Sequence, residues 1–600
     1  MHHHRFRWPA FAAIALVAGA ASIASGINSA TPRSLNGLPA SDMLMGGFVV
    51  GLRGEGIGGG LNPSTRSWIG VLEVDSDDRR ANTNGFVASH PALSGQLSVL
   101  AGSLSDFAPD ASVTPIAGGS STHAMGVAGI ALSNDATHTG ASPRSRWTGS
   151  LSDDIANLFY ASTKAVPNPT IPADWAQMTQ SMTRLVVDLP NNVINASLWY
   201  NNFPTPGAGA AWSNTRPIVA ADFTGNTYPG KMFDSAAFNF DKIIVLSAGN
   251  SGAAGIGIHA DHYNGITVGA LDDVAGQGMN DVRVAGYSGR GAIGAAGSER
   301  NGIHIVAPGS NITSTNWDFP GANPDFINIG SGTSFAAPLV SGIASNLWSA
   351  GAQAAANNAL TDKNDAFETN HRVIKSVLLN SARKISVGVQ GGGAPVAWAP
   401  AATDFSNPND RKVTRPLNDT VGAGEVDANE AWLQYREKNT TAPDGKTTVR
   451  FWETSTITPS TTSSSWQSNI PASDFAMAVG TRIWSLTATL TWDRHLQNPA
   501  NAAMPLSNLD LFFRYSIDNG MTWMNILTSA SLRDNTEHIH LTDLPDYGLN
   551  TIYTIGVANA GLGAGIQTEP YALSVRFVIP VPGGTVVAII AVAFGSRRRR

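Results

Sequence analysis

Continuous and alternating apolar runs divide this chain in two. Between about 66 and 440, short runs that are apolar at nearly every position (69–74, 185–187, 193–198, 243–246, 266–268 and 303–307) alternate with segments of helical period. Strands that are apolar on both faces are buried on both faces, which predicts a parallel sheet with crossover helices on either side. Beyond 440–450 the period becomes two. Leu486, Ala488, Leu490 and Trp492 alternate with threonines, and similar alternation recurs at 509–515, 538–541 and 551–557. Those segments predict antiparallel strands of a β-sandwich. The fold class is therefore α/β with a parallel sheet, followed by an all-β domain. The stretch 438–445 reads as a linker, and no internal repeat of fixed period is present.

The two ends carry other patterns. Arg5 and Arg7 precede an apolar run at 11–23 that closes in small residues at 20–24. This is the layout of a signal peptide, and the run is short for a spanning anchor. At the other end, Pro580-Val581-Pro582-Gly583-Gly584 is followed by an apolar stretch at 586–594 and then by four arginines, Arg597 to Arg600. Terminal arginines of this kind hold to the inner side of a membrane. The expected organisation is a signal peptide at 1–30, a low-complexity segment at 31–65, an α/β domain at 66–440, a β-sandwich at 446–578, and a hydrophobic tail at 579–600 that is not part of a fold.

Composition narrows the chemistry. Of 600 residues only 14% are charged, with 62 glycines and 33 prolines, a turn-rich and weakly charged make-up. The net charge of −6 offers no basic body for nucleic acid. With no cysteine, disulfides, thiol catalysis and zinc–thiolate sites are excluded.

Residues 331–342 read Ser-Gly-Thr-Ser-Phe-Ala-Ala-Pro-Leu-Val-Ser-Gly. A tight turn exposes Ser334, and an apolar, small-residue helix follows at Phe335, Ala336, Ala337, Leu339, Val340, Ile343 and Ala344. A serine so placed has the positive end of the helix dipole facing any charge that develops on its substrate. Pro338 falls in the first turn, where a missing N–H costs little. The plainer reading is a loop-to-helix cap by Thr333 or Ser334. The full string resembles the nucleophile motif of the subtilisin-like serine proteases, the subtilases.

That resemblance extends to other segments. A serine needs a base, and the base needs an acid to orient it. His123 stands before Val127-Ala128-Gly129 as the catalytic histidine does in subtilases, with Gly126 in place of their second, non-catalytic histidine. Small residues at 124, 126, 128 and 129 allow its helix to pack close to the sheet. The family's acid ends the first core strand, here Trp68-Ile69-Gly70-Val71-Leu72-Glu73-Val74-Asp75. Glu73 and Asp75 compete for the role, both on one strand face. Glu73 is preferred, because the residues before it suit a buried strand and Asp75 then falls in the loop. The buried run 243–247 ends in Ala248-Gly249-Asn250, which the resemblance makes the oxyanion donor. Ser197, Leu198 and Trp199 correspond to the strand that pairs with the substrate backbone, Trp199 replacing the family's usual glycine.

The resemblance covers about 66–385 and implies a three-layer subtilisin-like domain. It implies an exported serine endopeptidase acting on polypeptides through Ser334, with no cofactor. An inactive recognition or adhesion scaffold, and acyl transfer at the same serine, are the competing functions. The acidic cluster Asp75-Ser76-Asp77-Asp78 offers oxygen ligands for a structural calcium, although a solvated loop explains it, and the acids Asp493, Asp510, Asp534 and Glu537 call for the same reading. The segment 487–557 resembles the jelly-roll domains that follow many bacterial subtilase domains. The tail resembles the PEP-CTERM sorting class, with Val581 where that class has glutamate. It implies transient membrane attachment, with signal and sorting peptidases as partners and a secreted or cell-surface destination.

Overall fold

The computed structural model describes residues 67–73, 90–93, 98–100, most of 122–151 and 185–197, two short strands at 202–204 and 215–217, and most of 223–580. Its first domain is built on an eight-stranded sheet. The strands are β1 (Trp68–Glu73), β2 (Ser98–Leu100), β3 (Arg146–Leu151), β4 (Val193–Ala196), β5 (Ile243–Ser247), β6 (Ile266–Asp272), β7 (Arg283–Val284) and β8 (Ile305–Pro308). The spatial order is β8-β6-β5-β4-β1-β3-β2, all parallel, with β7 antiparallel beside β6.

Strand period two sends alternate residues to opposite faces. Ile69, Val71, Val193, Ile243 and Val245 pack on one side with α1 (Thr122–Leu132) and α3 (Thr333–Ala356). Leu72, Ile194, Ile244 and Leu246 pack on the other with Met232, Phe233, Ala236 and Ala237 of α2 (Tyr228–Phe240). Each valine, leucine, isoleucine, phenylalanine or methionine side chain so buried contributes roughly 1.5–3 kcal/mol. The run at 185–187, expected as a strand, is not one in its described part. Leu185 and Val186 form a helical turn that packs into this second cluster. A short apolar run fits a buried helix segment as well as a strand, and periodicity alone does not separate them.

Helix α1 lies close to the hairpin of β9 (Ile312–Thr315) and β10 (Phe326–Gly330). Ser314 Oγ donates to Gly126 O at 2.8 Å and Thr315 Oγ1 to Met125 O at 2.6 Å. A Cβ at Gly129 would fall against the Thr315 hydroxyl and 2.5 Å from the Ser314 hydroxyl. The small residues therefore seat this helix on a hydroxyl-lined hairpin.

Two further helices, α4 (His371–Ser381) and α5 (Ala428–Tyr435), join this domain to the all-β one. One sheet of the second domain has the order β13-β14-β20-β15-β18, from β13 (Thr440–Thr441), β14 (Lys446–Ile457), β15 (Ser485–Trp492), β18 (Thr536–Thr542) and β20 (Glu569–Pro580). The other runs β11-β12-β17-β16-β19, from β11 (Ala402–Asp404), β12 (Lys412–Arg415), β16 (Asn508–Ser516), β17 (Met524–Ser529) and β19 (Ile552–Gly561), with Ser463–Ser464 and Ile470–Pro471 pairing onto β19. Strands β11 and β12 thus enter this sheet from the N-terminal side of the 438–445 stretch. β20 continues through Ile579 and Pro580, so the first two residues set aside as tail are paired with Thr447 and Lys446. Among the described residues no helix is long and apolar enough to cross a membrane. The segments 1–65 and 581–600 lie outside the described residues.

The apolar residues of β15 face the sandwich core, but its threonines are buried too. Thr489 Oγ1 donates to Asn380 Oδ1 and Thr491 Oγ1 to Arg372 O, so α4 covers the hydroxyl face. At its end His371 is held between Asp241 (2.5 Å) and Asp493 (2.9 Å), and Arg372 pairs with Asp493 at 2.6 Å. Burial opposes the charge on His371, but Asp493 and Asp241 outweigh it and raise its pKa to about 9. Burial likewise opposes the charge on Asp493, and His371 and Arg372 hold it well below the carboxylate range. Nearby, Arg494 pairs with Asp234 and Arg300 with Asp261, each at 2.8 Å, and both guanidinium groups lie over the Tyr263 ring.

Removing one partner of a buried ion pair strands the other charge. Asp493→Ala should therefore lower unfolding stability by about 3–5 kcal/mol, measured by denaturant titration; an unchanged midpoint would show that the interface does not depend on this charge. The first domain also buries His259, His262 and His304 in neutral form, burial pushing His259 down to about 4 and the others well below their ordinary value. The unfolded chain binds protons at these histidines from about pH 6.5. Stability should thus fall as pH drops from about 6.5 towards 4, by up to about 1.4 kcal/mol per pH unit for each histidine. Thermal melts across that range check this, and a flat profile would refute it.

Candidate active site

The parallel register sets three strand ends in one row. Leu72 of β1 lies opposite Ala196 of β4, and Ala196 opposite Leu246 of β5. The next residues along, Glu73, Ser197 and Ser247, therefore share the carboxyl edge of the sheet, where ligands of open α/β sheets bind. Glu73 is the last residue of β1, still in register with Leu151 of β3. The side chain of Glu73 and all of Asp75, Leu198 and Trp199 lie outside the described residues, as does the 75–78 cluster.

Helix α3 begins at this edge. Ser334 is its second residue and is 3% exposed. His123 is the second residue of α1, half-buried, with its ring centroid 5.5 Å from that of Phe335, the neighbour of Ser334. The two helix starts, more than 200 positions apart in the chain, thus meet.

Asn250 follows β5 in the turn Ala248-Gly249-Asn250, with Gly249 at φ 87°. Its Oδ1 accepts from the Thr333 N–H (2.9 Å) and the Thr333 hydroxyl (3.0 Å), while that hydroxyl accepts from Gly249 N–H at 3.0 Å. With Oδ1 committed, Nδ2 is the group free to donate elsewhere. A Cβ built on Gly332 would lie 3.5 Å from Asn250 Nδ2 and 3.7 Å from Ser334 N. Two N–H donors, one of them at a helix N-terminus, therefore flank one small volume beside Ser334.

Beneath the serine runs a buried polar chain. Ser341 Oγ lies 2.9 Å from Asn195 Oδ1, Asn195 Nδ2 donates to Ser197 Oγ at 3.0 Å, and Ser197 Oγ donates to Ser334 O at 2.9 Å. Nothing in the apolar pattern marks Asn195 or Ser341 as part of this site. The one available signal is Pro338, which has no N–H for the Ser334 carbonyl.

Among the described residues, no group of three or more histidine, aspartate or glutamate side chains is arranged to hold a metal ion. Three of the four sandwich acids are taken up by protein, while the buried Oδ1 of Asp510 has no hydrogen-bond partner among the described residues. Asp493 holds His371 and Arg372, Asp534 accepts from Asn301 N–H and Ser531 Oγ, and Glu537 accepts from Ser531 N–H and Ser529 Oγ.

The arrangement brings a serine at a helix start, a histidine and paired N–H donors to one edge, a set suited to nucleophilic attack on a carbonyl. Comparisons with known proteins bear on the family. The M-protease of Shouchella clausii (strain KSM-K16) is 33% identical over 140 residues, covering 23% of this chain and 31% of its own. Subtilisin BL of Lederbergia lenta is 33% identical over 140 residues, 23% of this chain and 44% of its own. The chain thus spans less than half the length of these curated relatives. Among solved structures, that of the prenylagaramide maturation protease PagA overlaps 61% of this chain and 92% of its own, at 17% identity and a TM-score of 0.34. The family model for subtilases matches residues 83–424, more than half of the chain, beginning after β1. The chain belongs to the subtilase family.

Proposed function

We propose that this protein is an exported serine endopeptidase that cleaves polypeptides through an acyl-enzyme on Ser334. The observation that carries the reading is the pair of donors, Asn250 Nδ2 and Ser334 N–H, flanking one point beside the serine. His123 accepts the Ser334 proton as the hydroxyl attacks the scissile carbonyl carbon. The carbonyl π electrons move to oxygen, and the two N–H donors stabilise that oxyanion. His123 then passes its proton to the leaving amine as the C–N bond breaks. Water attacks the ester with the same proton relay, returning Ser334 and releasing the acid. Glu73, in preference to Asp75, orients the imidazole from the end of β1. Its extra methylene sets the histidine further from the strand.

Substrate backbone adds to the end of β4 at Ser197, Leu198 and Trp199 by main-chain hydrogen bonds, with Trp199 shaping the primary pocket. No cofactor enters the chemistry. Residues 1–30 direct export and are removed by a signal peptidase. The tail after Pro580 is a sorting signal that anchors the protein at the membrane until it is processed. The all-β domain is of the jelly-roll type.

Fluorophosphonate labelling of the purified protein, read by intact mass, should give one adduct on the parent and none on Ser334→Ala. No adduct on well-folded parent protein would sink the proposal in favour of a binding scaffold. Asn250→Ala should retain labelling but lower kcat by about 10²–10³-fold, the loss known for the corresponding asparagine of subtilisin itself. The acid is settled by a pair of variants: Glu73→Gln should cost more activity than Asp75→Asn, and the reverse order would transfer the role to Asp75.

A further inference from the structure

The carbonyl of the proposed nucleophile has a problem that the sequence creates and the fold solves. In an α-helix the C=O of residue i accepts from the N–H of residue i+4. For Ser334 that residue is Pro338, which has no N–H; it is the sixth residue of α3, past the first turn in which the sequence pattern puts it and where a missing N–H would cost little. Ser334 is 3% exposed, so an unpartnered carbonyl there would bear a desolvation cost with little water to relieve it. The Ser197 hydroxyl fills the vacancy, donating at 2.9 Å.

The direction of the whole chain of bonds follows from that one acceptor. A carbonyl cannot donate, so the Ser197 proton is committed to Ser334 O, and Ser197 Oγ must accept from Asn195 Nδ2. The Asn195 amide is thereby oriented with Oδ1 towards Ser341, whose hydroxyl, in the third turn of the same helix, lies 2.9 Å from that oxygen and 3.1 Å from Ala337 O. Asn195, Ser197 and Ser341 are all buried. Asn195 is in β4 and Ser197 follows directly on it, so the strand end proposed to bind substrate is fastened to the helix that carries the nucleophile.

The peptide plane after Ser334 is held at both of its polar groups: the carbonyl by Ser197, and the Phe335 N–H by Gly332 O at 3.0 Å. That plane fixes the ψ angle of Ser334 and so the placement of its own N–H and Oγ relative to Asn250. We propose that Ser197, anchored by Asn195 and Ser341, is a positioning residue for the Ser334 nucleophile, standing in for the helical N–H that Pro338 lacks. This rests on the reading of Ser334 as the nucleophile.

A double-mutant cycle tests it, because Pro338→Ala restores the missing N–H and should make the Ser197 hydroxyl redundant. Two quantities are read on protein shown to be folded by its thermal melt: the rate of fluorophosphonate labelling at Ser334, and kcat and KM on a peptide substrate. In the parent background, Ser197→Ala should lower the labelling rate and kcat about tenfold, the size of one buried neutral hydrogen bond, with KM little changed. In the Pro338→Ala background the same substitution should cost less than about threefold. Equal losses in both backgrounds, or a loss confined to KM, would overturn the proposal and leave Ser197 as a substrate contact. Ser197→Thr, which keeps the hydroxyl, should label near the parent rate; labelling at the Ser197→Ala rate would also overturn it. If Ser197→Ala does not fold, Ser341→Ala replaces it in the cycle, and an unchanged labelling rate there counts against the proposal. A parent that does not label at all removes the nucleophile reading, and this one with it.

Discussion

Everything at the site depends on the carboxyl edge of one parallel sheet. Parallel pairing fixes which residues end level with one another. Here it aligns Leu72, Ala196 and Leu246, so that the residues after them emerge side by side. A sheet buried on both faces has no solvated side on which to build polar chemistry. Its edge is the place where strand ends, helix starts and unpaired backbone groups meet. The two helix starts delivered there come from α1 and α3, which share one side of the sheet, and the ring contact between His123 and Phe335 is the local result.

Polar groups at that edge are few and heavily committed. Thr333 alone occupies Asn250 Oδ1 twice and accepts from Gly249, which leaves Asn250 Nδ2 as the donor. A neutral amide is thus given one direction by neighbouring bonds rather than by its own rotamer preference. The same logic runs beneath the serine, where the Ser334 carbonyl, which only accepts, sets the direction of the bonds at Ser197 and Asn195. Buried networks of this kind are worth having only when every member is satisfied.

The second domain is fastened by charge rather than by apolar burial alone. His371 and Arg372 of the first domain meet Asp493 of the second, and Arg494 of the second meets Asp234 of the first; a buried pair of this sort adds little net stability while punishing the loss of either member. Its value lies in geometry: Asp493 at the end of β15 accepts both His371 and Arg372 at the start of α4, which fixes how the β domain seats on the α/β domain. The hydroxyl face of β15 then packs on that helix instead of facing water.

The sequence alone determined the parallel α/β class, the antiparallel all-β class and the order of the segments around Glu73, His123, Asn250 and Ser334, because continuous and alternating burial leave different periods and because turn-to-helix strings are local. It misread Leu185 and Val186, where a short apolar run carries no period. It preferred Glu73 to Asp75 as the acid, because the residues before Glu73 suit a buried strand. Only the tertiary structure decided that Thr333 orients Asn250, that Asn195 and Ser341 stand behind Ser197, and that His371 bridges Asp241 and Asp493. The Thr333–Asn250, Ser341–Asn195 and His371–Asp493 pairs lie 83 to 146 positions apart in the chain. Hydrogen bonds and ion pairs act over about 3 Å of space, so they leave no period in the chain and exist only once the sheet has set its strands in register.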